Sequence, residues 1–306
     1  MKTRRPTLTA KGLQRAVQHV QGEVRWNEPL APFLSLQVGG PADVLVFPSD
    51  VEDVIRVIRG ARAERVPLVV LGGTNVVVRD KGIRGIVMHL KQLSGMHEEA
   101  SQVVYAQAGV RLPQLMQFAV RHHLSGMEWA AGIPGTVGGG VVMNAGTQLG
   151  EMKDVLRAVD VVNLRGHRLR VEASSIAFAY RKATLPKGIV VGAWVQLALS
   201  KKEQVAAKTK TYLQYRRETQ PLTLPNAGSV FKNPPGDSAG RLVEAAGLKG
   251  VRVGDAEVST KHANFIVNRG TATADQVLAL IRRVRQTVAR KFRVRLQLEW
   301  KIIGES

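Results

Sequence analysis

A glycine-rich stretch at residues 130–146 is the part of this 306-residue chain best suited to holding a large ligand. It has the sequence AAGIPGTVGGGVVMNAG, in which six of the seventeen residues are glycine. Such residues bury little apolar area and lose much backbone entropy on ordering, so we expect no core to be built from them. Their bare N–H groups can instead approach a flat or anionic group, such as an isoalloxazine ring or a pyrophosphate. The stretch therefore predicts a backbone cradle for a large cofactor rather than an ordinary glycine-rich turn.

Two shorter glycine sites precede this cradle. Gly72, Gly73, Thr74 and Asn75 form a tight turn between two β-branched runs, and a strand near 103–107 leads to Gly109. Neither G-x-G-x-x-G after a strand nor G-x-x-x-x-G-K-[ST] occurs, which excludes the usual dinucleotide fingerprint and the phosphate loop of nucleoside triphosphatases. Three such sites indicate a long ligand in an extended groove.

Composition narrows the remaining classes of protein. The hydrophobic and charged fractions, 44% and 22%, are ordinary for a globular protein. No apolar run approaches the roughly 20 residues that cross a bilayer, and the first residues lack the apolar segment of a secretory signal. These features predict a cytoplasmic protein without membrane insertion. The chain has no cysteine and its seven histidines show no H-E-x-x-H pattern, so no disulfide, catalytic thiolate or metal site is predicted.

The formal net charge of +20 suits an anionic partner. Only 5% of residues are aromatic, which leaves few platforms for stacking bases. The basic residues between 282 and 295 alternate with apolar ones at helical spacing, which indicates a solvated helix face. We predict attraction of a small polyanionic substrate and no nucleic-acid partner, although a basic composition without any function would leave the same pattern.

Periodicity divides the chain into successive α/β segments. Residues 1–25 are a basic helix or tail, and a Ser49–Glu52 capping box begins a helix that carries Val54, Ile55 and Ile58 on its core face. We predict further strands and helices, in order: strands near 67–71, 76–78 and 85–90 completing a small α/β unit; a strand at 103–107; a helix near 111–123; strands at 157–164, 168–171 and 189–199; and a helix near 201–218.

The C-terminal third contains polar turns and side chains that are candidates for catalysis. A polar turn with a brief strand is predicted at 225–236, and a strand at 258–268. A Thr273-to-Gln276 capping box begins a helix that runs to Phe292. The following residues alternate, with Val294 to Ile302 on one face and Arg293 to Lys301, including Glu299, on the other. Taken alone, Ser229 in a Gly-Ser turn and Glu299 between two cations are ordinary surface residues.

Together these segments resemble one family, the flavin-dependent UDP-N-acetylenolpyruvoylglucosamine reductases of bacterial peptidoglycan synthesis, in its more compact subtype. The resemblance covers residues 27–305. Its motifs, in matching order and separation, are VGGPAD at 38–43, GIPGTVGG at 132–139 with NAG at 144–146, FAYR at 178–181, AGSVFKNP at 227–234, STKHANF at 259–265 and EWKIIGE at 299–305.

The resemblance implies an α+β protein with a vanillyl-alcohol-oxidase (PCMH-type) FAD-binding fold. Two α/β subdomains hold noncovalent FAD, and a C-terminal α+β domain binds substrate. The expected bounds are 1–25 for the basic segment, 26–90 and 91–200 for the FAD-binding subdomains, and 201–306 for the substrate-binding domain. A monomer is expected.

The family's reaction reduces the enolpyruvyl ether of UDP-N-acetylglucosamine to UDP-N-acetylmuramate at the expense of NADPH. Hydride passes from the nicotinamide to FAD, and from flavin N5 to the terminal methylene carbon of the substrate. By resemblance, Arg181 and Glu299 polarise the substrate carboxylate, and Ser229 donates the proton that completes the reduction. A fixed guanidinium suits a developing enolate in a dry site.

The resemblance also assigns the binding residues. Residues expected to bind FAD are Gly72, Gly73, Thr74, Asn75, Gly109, Gly132, Ile133, Pro134, Gly135, Thr136, Gly138, Gly139, Asn144, Ala145 and Gly146. Residues expected to bind the substrate are Tyr180, Lys232, Asn233, Lys261 and His262.

This chain departs from the family pattern at three places. One residue is missing before Gly72, Ala183 stands where a serine is common, and Thr147 to Gly150 replaces an aromatic residue followed by glycines. Two other functions remain open: a sugar or alcohol oxidase on the same flavin fold, and a non-catalytic protein that binds nucleic acid or another anion. The first would need a His or Cys near the cradle for covalent flavin attachment, and the cradle has neither.

Overall fold

The computed structural model of the chain describes residues 8–306, which divide into two compact units. Unit 1 comprises the described residues up to Asn27 together with Asp43–Gly72 and Arg84–Leu213. Unit 2 comprises Glu28–Ala42, Gly73–Ile83 and Gln214–Ser306. Each unit is assembled from separated stretches of chain. Residues 1–7 of the predicted basic segment lie outside the described part, and the four predicted domain bounds remain predictions.

Residues 8–306 contain seven α-helices. They are α1 (Ala10–Val17), α2 (Val51–Ala63), α3 (Leu112–Arg121), α4 (Val137–Val142), α5 (Lys202–Thr219), α6 (Ala239–Ala245) and α7 (Ala274–Phe292). The predicted capping box of α7 is confirmed: Thr273 accepts from the N–H of Gln276 and Gln276 reaches back. The cap predicted for α2 is wrong by one residue, because the Asp50 carboxylate, not Ser49, accepts from the N–H of Asp53 at 2.7 Å.

The same residues form twenty strands. They are β1 (Glu23–Pro29), β2 (Pro41–Phe47), β3 (Leu68–Val70), β4 (Val76–Val78), β5 (Ile83–Met88), β6 (Met96–Ala100), β7 (Val103–Gln107), β8 (Leu124–Ser125), β9 (Gly146–Thr147), β10 (Gly150–Glu151), β11 (Leu156–Asn163), β12 (Arg168–Glu172), β13 (Ala177–Ala179), β14 (Lys182–Thr184), β15 (Gly188–Gln196), β16 (Ala198–Leu199), β17 (Arg252–Val253), β18 (Ala256–Val258), β19 (Ile266–Asn268) and β20 (Lys301–Ile303).

The sheets give each unit its frame. An antiparallel sheet of order β12-β11-β15-β7-β6 forms the largest part of unit 1, and a second sheet has the order β1-β2-β5-β3. The core of unit 1 includes the apolar residues of α2, α3 and β11. Unit 2 has its own core, in which the buried face of α7 packs with α6 and residues Val230, Phe231 and Trp300. Arg282, Arg283 and Arg285 lie on the exposed face of α7, as its spacing predicts.

The glycine-rich stretch corrects one expectation. Residues 137–142 form α4, and Val137 and Val141 are fully buried, so the stretch does contribute to the core of unit 1. A Cβ added at Gly138 would lie 2.9 Å from the Cβ of Ala108, and one at Gly140 would lie 3.0 Å from Cε of Met152. These two glycines bring the helix close to its neighbours, which composition alone does not reveal.

The predicted strand at 258–268 is instead two antiparallel strands, β18 ending at Val258 and β19 beginning at Ile266. Three further strand predictions need correction for a shared reason. Strand β4 does not complete the first α/β unit but pairs in parallel with β20 in unit 2. No regular strand forms at 225–236, where Phe231 makes an isolated bridge to Leu298. The last ten residues before Ile303 keep the predicted alternation of burial, yet only β20 is regular. In each case the partner segment is distant in sequence, so local pattern does not determine the pairing.

Candidate active site

The loop before α4 in unit 1 presents backbone donors. Within residues 8–306, the N–H groups of Gly132, Gly135 and Thr136 have no acceptor. The loop is nevertheless fixed, because Leu112 donates to the carbonyl of Gly135 and Val137 donates to that of Val110, at 3.0 and 2.8 Å. Gly132 and Gly135 have φ values of 68° and 134°, which L-residues with side chains rarely adopt. The loop therefore holds unpaired donors in a rigid arrangement.

The predicted flavin-binding glycines of unit 1 serve two purposes. A Cβ added at Gly139 would meet only Oγ1 of Thr136, at 3.7 Å, and one at Gly72 would meet nothing within 4 Å, so these two face open space. Gly109 is different, because an added Cβ would lie 1.9 Å from the carbonyl oxygen of Leu90. Its glycine is required by protein packing, and its contact with the cofactor remains a prediction.

Asn144 ties the end of the glycine-rich stretch to two hairpins of unit 1. It is 1% exposed and has a positive φ of 42°. Its Nδ2 donates to Oε2 of Glu151 at 2.9 Å and to the carbonyl of Ala179 at 3.4 Å, while its Oδ1 accepts from the N–H of Lys153 at 3.0 Å. The side chain is thus occupied by protein contacts.

The N–H groups of Ile133 and Ala145 also donate within the protein, to the carbonyls of Ala130 and Gly140 at 3.0 and 2.8 Å, and Pro134 has no N–H. Cofactor contacts of these residues and of Gly146 remain predictions.

Arg181 lies in the two-residue turn of the β13–β14 hairpin, in unit 1. Its φ of 57° is left-handed, and its Cζ lies 5.1 Å from the ring centroid of Tyr180. The Tyr180 side chain is 52% exposed. Because the hairpin flanks hold the turn, both predicted side chains extend from a defined backbone position.

In unit 2, the loop before β4 presents backbone N–H groups in the same way. Within the described residues, the N–H groups of Gly73 and Thr74 have no acceptor. Nδ2 of Asn75 donates to the carbonyl of Glu299 at 3.2 Å, and the Asn75 carbonyl accepts from Lys301 at 3.0 Å. The pairing of β4 with β20 therefore places a predicted flavin residue beside a predicted catalytic one.

Ser229 lies next to the same strand in unit 2. Glu299 N–H donates to the carbonyl of Val230, and Lys232 N–H donates to that of Gln297, both at 2.9 Å. Ser229 itself is half-buried and follows Gly228, whose φ is 75°. The Ser229 hydroxyl makes no hydrogen bond within residues 8–306. The structure thus brings Ser229 and Glu299 onto paired segments and leaves the hydroxyl available.

The predicted substrate residues of unit 2 are held to different degrees. Asn233 is exposed, and its Oδ1 accepts from the N–H of Ala239 at 3.0 Å at the start of α6. The exposed Lys261 donates to the carbonyl of Arg217. His262 packs edge-on to Phe265, and its burial lowers its pKa, which favours the neutral imidazole. Lys232 is half-buried.

The described residues fit a flavin dinucleotide. Unpaired N–H groups are suited to the phosphate and carbonyl acceptors of such a cofactor, and the loop that carries them borders a helix with open space at Gly139. Noncovalent binding is consistent with the absence of His from residues 130–146 and of Cys from the chain.

Known protein families match segments of both units. An FAD-binding domain family matches residues 42–172, and the C-terminal domain of UDP-N-acetylenolpyruvoylglucosamine reductase matches residues 220–303. The reductase 2 of Symbiobacterium thermophilum is 47% identical over 95% of this chain and 96% of its own length. The chain belongs to the UDP-N-acetylenolpyruvoylglucosamine reductase family.

Other members of the family are similar to this chain over most of its length. The reductase of Caldanaerobacter subterraneus subsp. tengcongensis is 43% identical over 93% of this chain and 95% of its own. The crystal structure of the Thermus caldophilus reductase covers 92% of this chain and 98% of that one, with 40% identity and a TM-score of 0.78. The predicted family and FAD-binding fold class are confirmed, and the individual residue roles remain predictions.

Asn264 was not among the site residues predicted from the sequence. It lies two residues beyond the predicted pair Lys261 and His262 and is 4% exposed. A buried asparagine in a polar motif is the available signal, but its partner is Phe231, 33 residues away.

Proposed function

We propose that this chain catalyses the NADPH-dependent reduction of UDP-N-acetyl-3-O-(1-carboxyvinyl)-glucosamine to UDP-N-acetylmuramate, the reaction that supplies a peptidoglycan precursor. Membership of the reductase family supports the reaction, and the match of an FAD-binding domain supports the cofactor. One structural observation carries the assignment of roles. The loop of Ser229 is paired to the segment of Glu299, and the Ser229 hydroxyl has no hydrogen-bond partner within residues 8–306.

FAD, when bound, supplies the hydride relay between reduced nicotinamide and the substrate. We assign its binding to the unpaired backbone N–H groups of Gly132, Gly135 and Thr136 in unit 1 and of Gly73 and Thr74 in unit 2. Backbone donors held in a rigid loop need no reorganisation when an anionic group binds.

Ser229 provides the proton. Hydride addition at the terminal methylene leaves an electron pair at the adjacent carbon, which bears the ether oxygen and the carboxylate. The serine O–H bond breaks, the proton joins that carbon, and the serine oxygen regains a proton from solvent. A short hydroxyl reaches the carbon without the bulk of a longer acid.

Arg181 and Glu299 act on the substrate carboxylate. As the adjacent carbon becomes electron-rich, negative charge spreads into this carboxylate, and the Arg181 guanidinium stabilises it. The carboxyl of Glu299 adds to this polarisation only when it is protonated or otherwise compensated, because an ionised carboxyl would repel the substrate carboxylate. We assign substrate binding to Tyr180, Lys232, Asn233, Lys261 and His262.

We further propose that the enzyme acts as a monomer in the cytoplasm and takes no nucleic acid. Within residues 8–306 no helix combines the length and apolarity that a bilayer span requires. A diphosphate and a carboxylate present only a few charges, so activity should weaken modestly with salt. Steep, salt-sensitive binding to DNA at physiological ionic strength would contradict this proposal.

The proposal is tested on purified full-length chain by flavin absorbance. We expect a yellow protein whose flavin is released on denaturation, is reduced by NADPH under anaerobic conditions, and is reoxidised by the enolpyruvyl UDP-sugar. A sugar or alcohol oxidase would instead be reduced by a sugar and reoxidised by oxygen. A colourless protein that cannot be reconstituted with FAD would refute the enzyme assignment.

A further inference from the structure

Asn264 is bound by three hydrogen bonds to the two residues that follow Ser229. It lies between β18 and β19 in unit 2 and is 4% exposed. Its Oδ1 accepts from the N–H of Phe231 at 3.0 Å, and its Nδ2 donates to the carbonyl of Phe231 at 2.8 Å. Its own carbonyl accepts from the N–H of Val230 at 2.9 Å. One side chain thus satisfies both backbone groups of Phe231.

These bonds take the place of the backbone hydrogen bonds that a neighbouring strand would make to Val230 and Phe231. Residues 225–236 form no regular strand, and Gly228, with its left-handed φ, separates Ser229 from the preceding turn. On one side the loop is paired with Gln297 and Glu299, and on the other it is held by Asn264. A buried amide whose donor and acceptor are both engaged fixes the backbone in one place, because breaking either bond leaves a buried polar group unpaired.

We propose that Asn264 is a positioning residue for Ser229 and sets the place from which the proton is delivered. The inference rests on the proposed function of Ser229. The backbone from Val230 to Ser229 is a single peptide link of about 3.8 Å, so a displacement at Val230 and Phe231 is passed to the hydroxyl. A misplacement of about 1 Å can slow a reaction by roughly 100-fold.

The decisive variant is Asn264→Asp, which has nearly the same shape as the parent. Ionised, its carboxylate opposes the carbonyl of Phe231 and the loop is displaced. Protonated, its O–H donates to that carbonyl while the other oxygen still accepts from the Phe231 N–H, so both bonds return. Burial disfavours the charged form of the introduced acid. We therefore expect activity that recovers as the pH falls.

The measurement is single-turnover flavin absorbance on the full-length holoenzyme, from pH 8 to pH 5.5 and relative to the parent. At pH 8, Asn264→Asp should slow reoxidation by saturating enolpyruvyl UDP-sugar by roughly 10–100-fold and leave flavin reduction by NADPH unchanged. Most of this loss should disappear at the acidic end. Asn264→Ser, which can replace only one of the two bonds, should be slow at every pH and serves where the aspartate variant fails to fold.

Asn268 offers a matched control in the same unit. It is 2% exposed, its Nδ2 donates to the carbonyl of Leu36 at 3.2 Å, and its Oδ1 accepts from Gly270 and Ala272 at 2.9 and 3.0 Å. None of these side-chain partners adjoins Ser229. The backbone N–H of Asn268 donates to the carbonyl of Pro225 at 2.9 Å, and the substitution retains this main-chain bond. Asn268→Asp should lower the unfolding midpoint yet give folded enzyme that is reoxidised at the parent rate.

The outcomes separate the two proposals. Parent-like reoxidation by Asn264→Ser, which can re-form at most one of the two bonds at any pH, would overturn the role of Asn264 and leave the reaction itself intact. Parent-like reoxidation by Asn264→Asp would do the same only at a pH where the introduced carboxyl is ionised, because the protonated form restores both bonds. Equal slowing by Asn268→Asp would also overturn it, because the effect would then be general destabilisation. If the parent is not reoxidised by the enolpyruvyl substrate, the proposed function fails.

Discussion

The loop before α4 and the loop that carries Ser229 differ in which groups they leave without a hydrogen-bond partner in the part of the chain that the structure describes. In the first, the backbone N–H groups of Gly132, Gly135 and Thr136 are unpaired within the described residues, and two of these three residues have no side chain. In the second, the backbone of Val230 and Phe231 is fully engaged with Asn264 and Glu299, and the hydroxyl of Ser229 has no partner there. One loop offers main chain to a ligand, and the other offers a side chain.

The difference explains their sequences. A backbone site requires that side chains be removed, so it appears as a run of glycines. A side-chain site requires one reactive residue and a buried partner that immobilises its backbone, and that partner is distant in sequence. Damage should therefore differ: adding a side chain harms the first loop, and removing one harms the second.

The largest expected effect comes from Ser229→Ala. If the hydroxyl delivers the proton, reoxidation of reduced flavin by the substrate should slow by roughly 10²- to 10⁴-fold, the usual contribution of general acid catalysis. FAD binding and flavin reduction by NADPH should remain near the parent values, because the backbone of the loop is held without this side chain. Rapid-mixing absorbance of the flavin measures both half-reactions.

Arg181→Ala distinguishes chemistry from binding in the same experiment. It should slow reoxidation and also weaken substrate affinity, because a contact to the substrate carboxylate is lost. If Ser229→Ala is reoxidised as fast as the parent, Ser229 is not the proton donor. If both half-reactions slow together, the serine acts through the fold or the flavin.

The next effect concerns added bulk in α4. Gly139→Leu places a side chain in open space and improves helix propensity, so the apoprotein should unfold at or above the parent temperature. The same side chain occupies space proposed for the cofactor and should weaken FAD binding by roughly 10- to 100-fold, the size of an ordinary overpacking effect. Flavin fluorescence on titration of apoprotein measures the affinity.

Gly140→Leu is the matched control in the same helix. Its added Cβ would lie 3.0 Å from Met152 and 3.3 Å from Leu112, so this variant should lose thermal stability with or without FAD. Unchanged FAD affinity in a stable Gly139→Leu protein would mean that this face of α4 does not border the cofactor.

The smallest effect concerns His89, a half-buried histidine of unit 1. Burial and the nearby Lys91 ammonium lower the pKa of His89 to about 4 from 6.5. Between pH 6.5 and pH 4, His89 is therefore protonated in the unfolded chain but neutral in the folded chain. The free energy of unfolding falls as the pH drops through this range. At pH 4.5 the loss due to His89 should be on the order of 1–2 kcal/mol, with allowance for its partial exposure.

His89→Gln removes this titration while keeping an acceptor for the N–H of Lys91, which donates to Nδ1 of His89 at 3.3 Å. Denaturant midpoints at pH 7.5 and 4.5 should show a smaller acid loss in the variant than in the parent. An identical acid loss in both proteins would assign the acid sensitivity to other groups.

Local pattern predicted much of the secondary structure for physical reasons. The strand at 103–107 and the helix that ends at Phe292 have the predicted bounds, because alternation and the Thr273 capping box act within a few residues. The burial of α4 was not predicted, because its contacts with Ala108 and Met152 depend on the tertiary packing of the helix against other segments.

The sequence by itself determined the family and the FAD-binding fold, because both can be recognised from motifs of fixed residue type and spacing. It also located the glycine-rich segments, whose contacts with the flavin remain predictions. Only the tertiary structure decided that β4 pairs with β20, that Asn75 contacts the backbone of Glu299, and that Asn264 holds the residues beside Ser229. Each of these contacts joins segments more than 30 residues apart. Such pairings are set by the packing of whole elements, which no local pattern encodes.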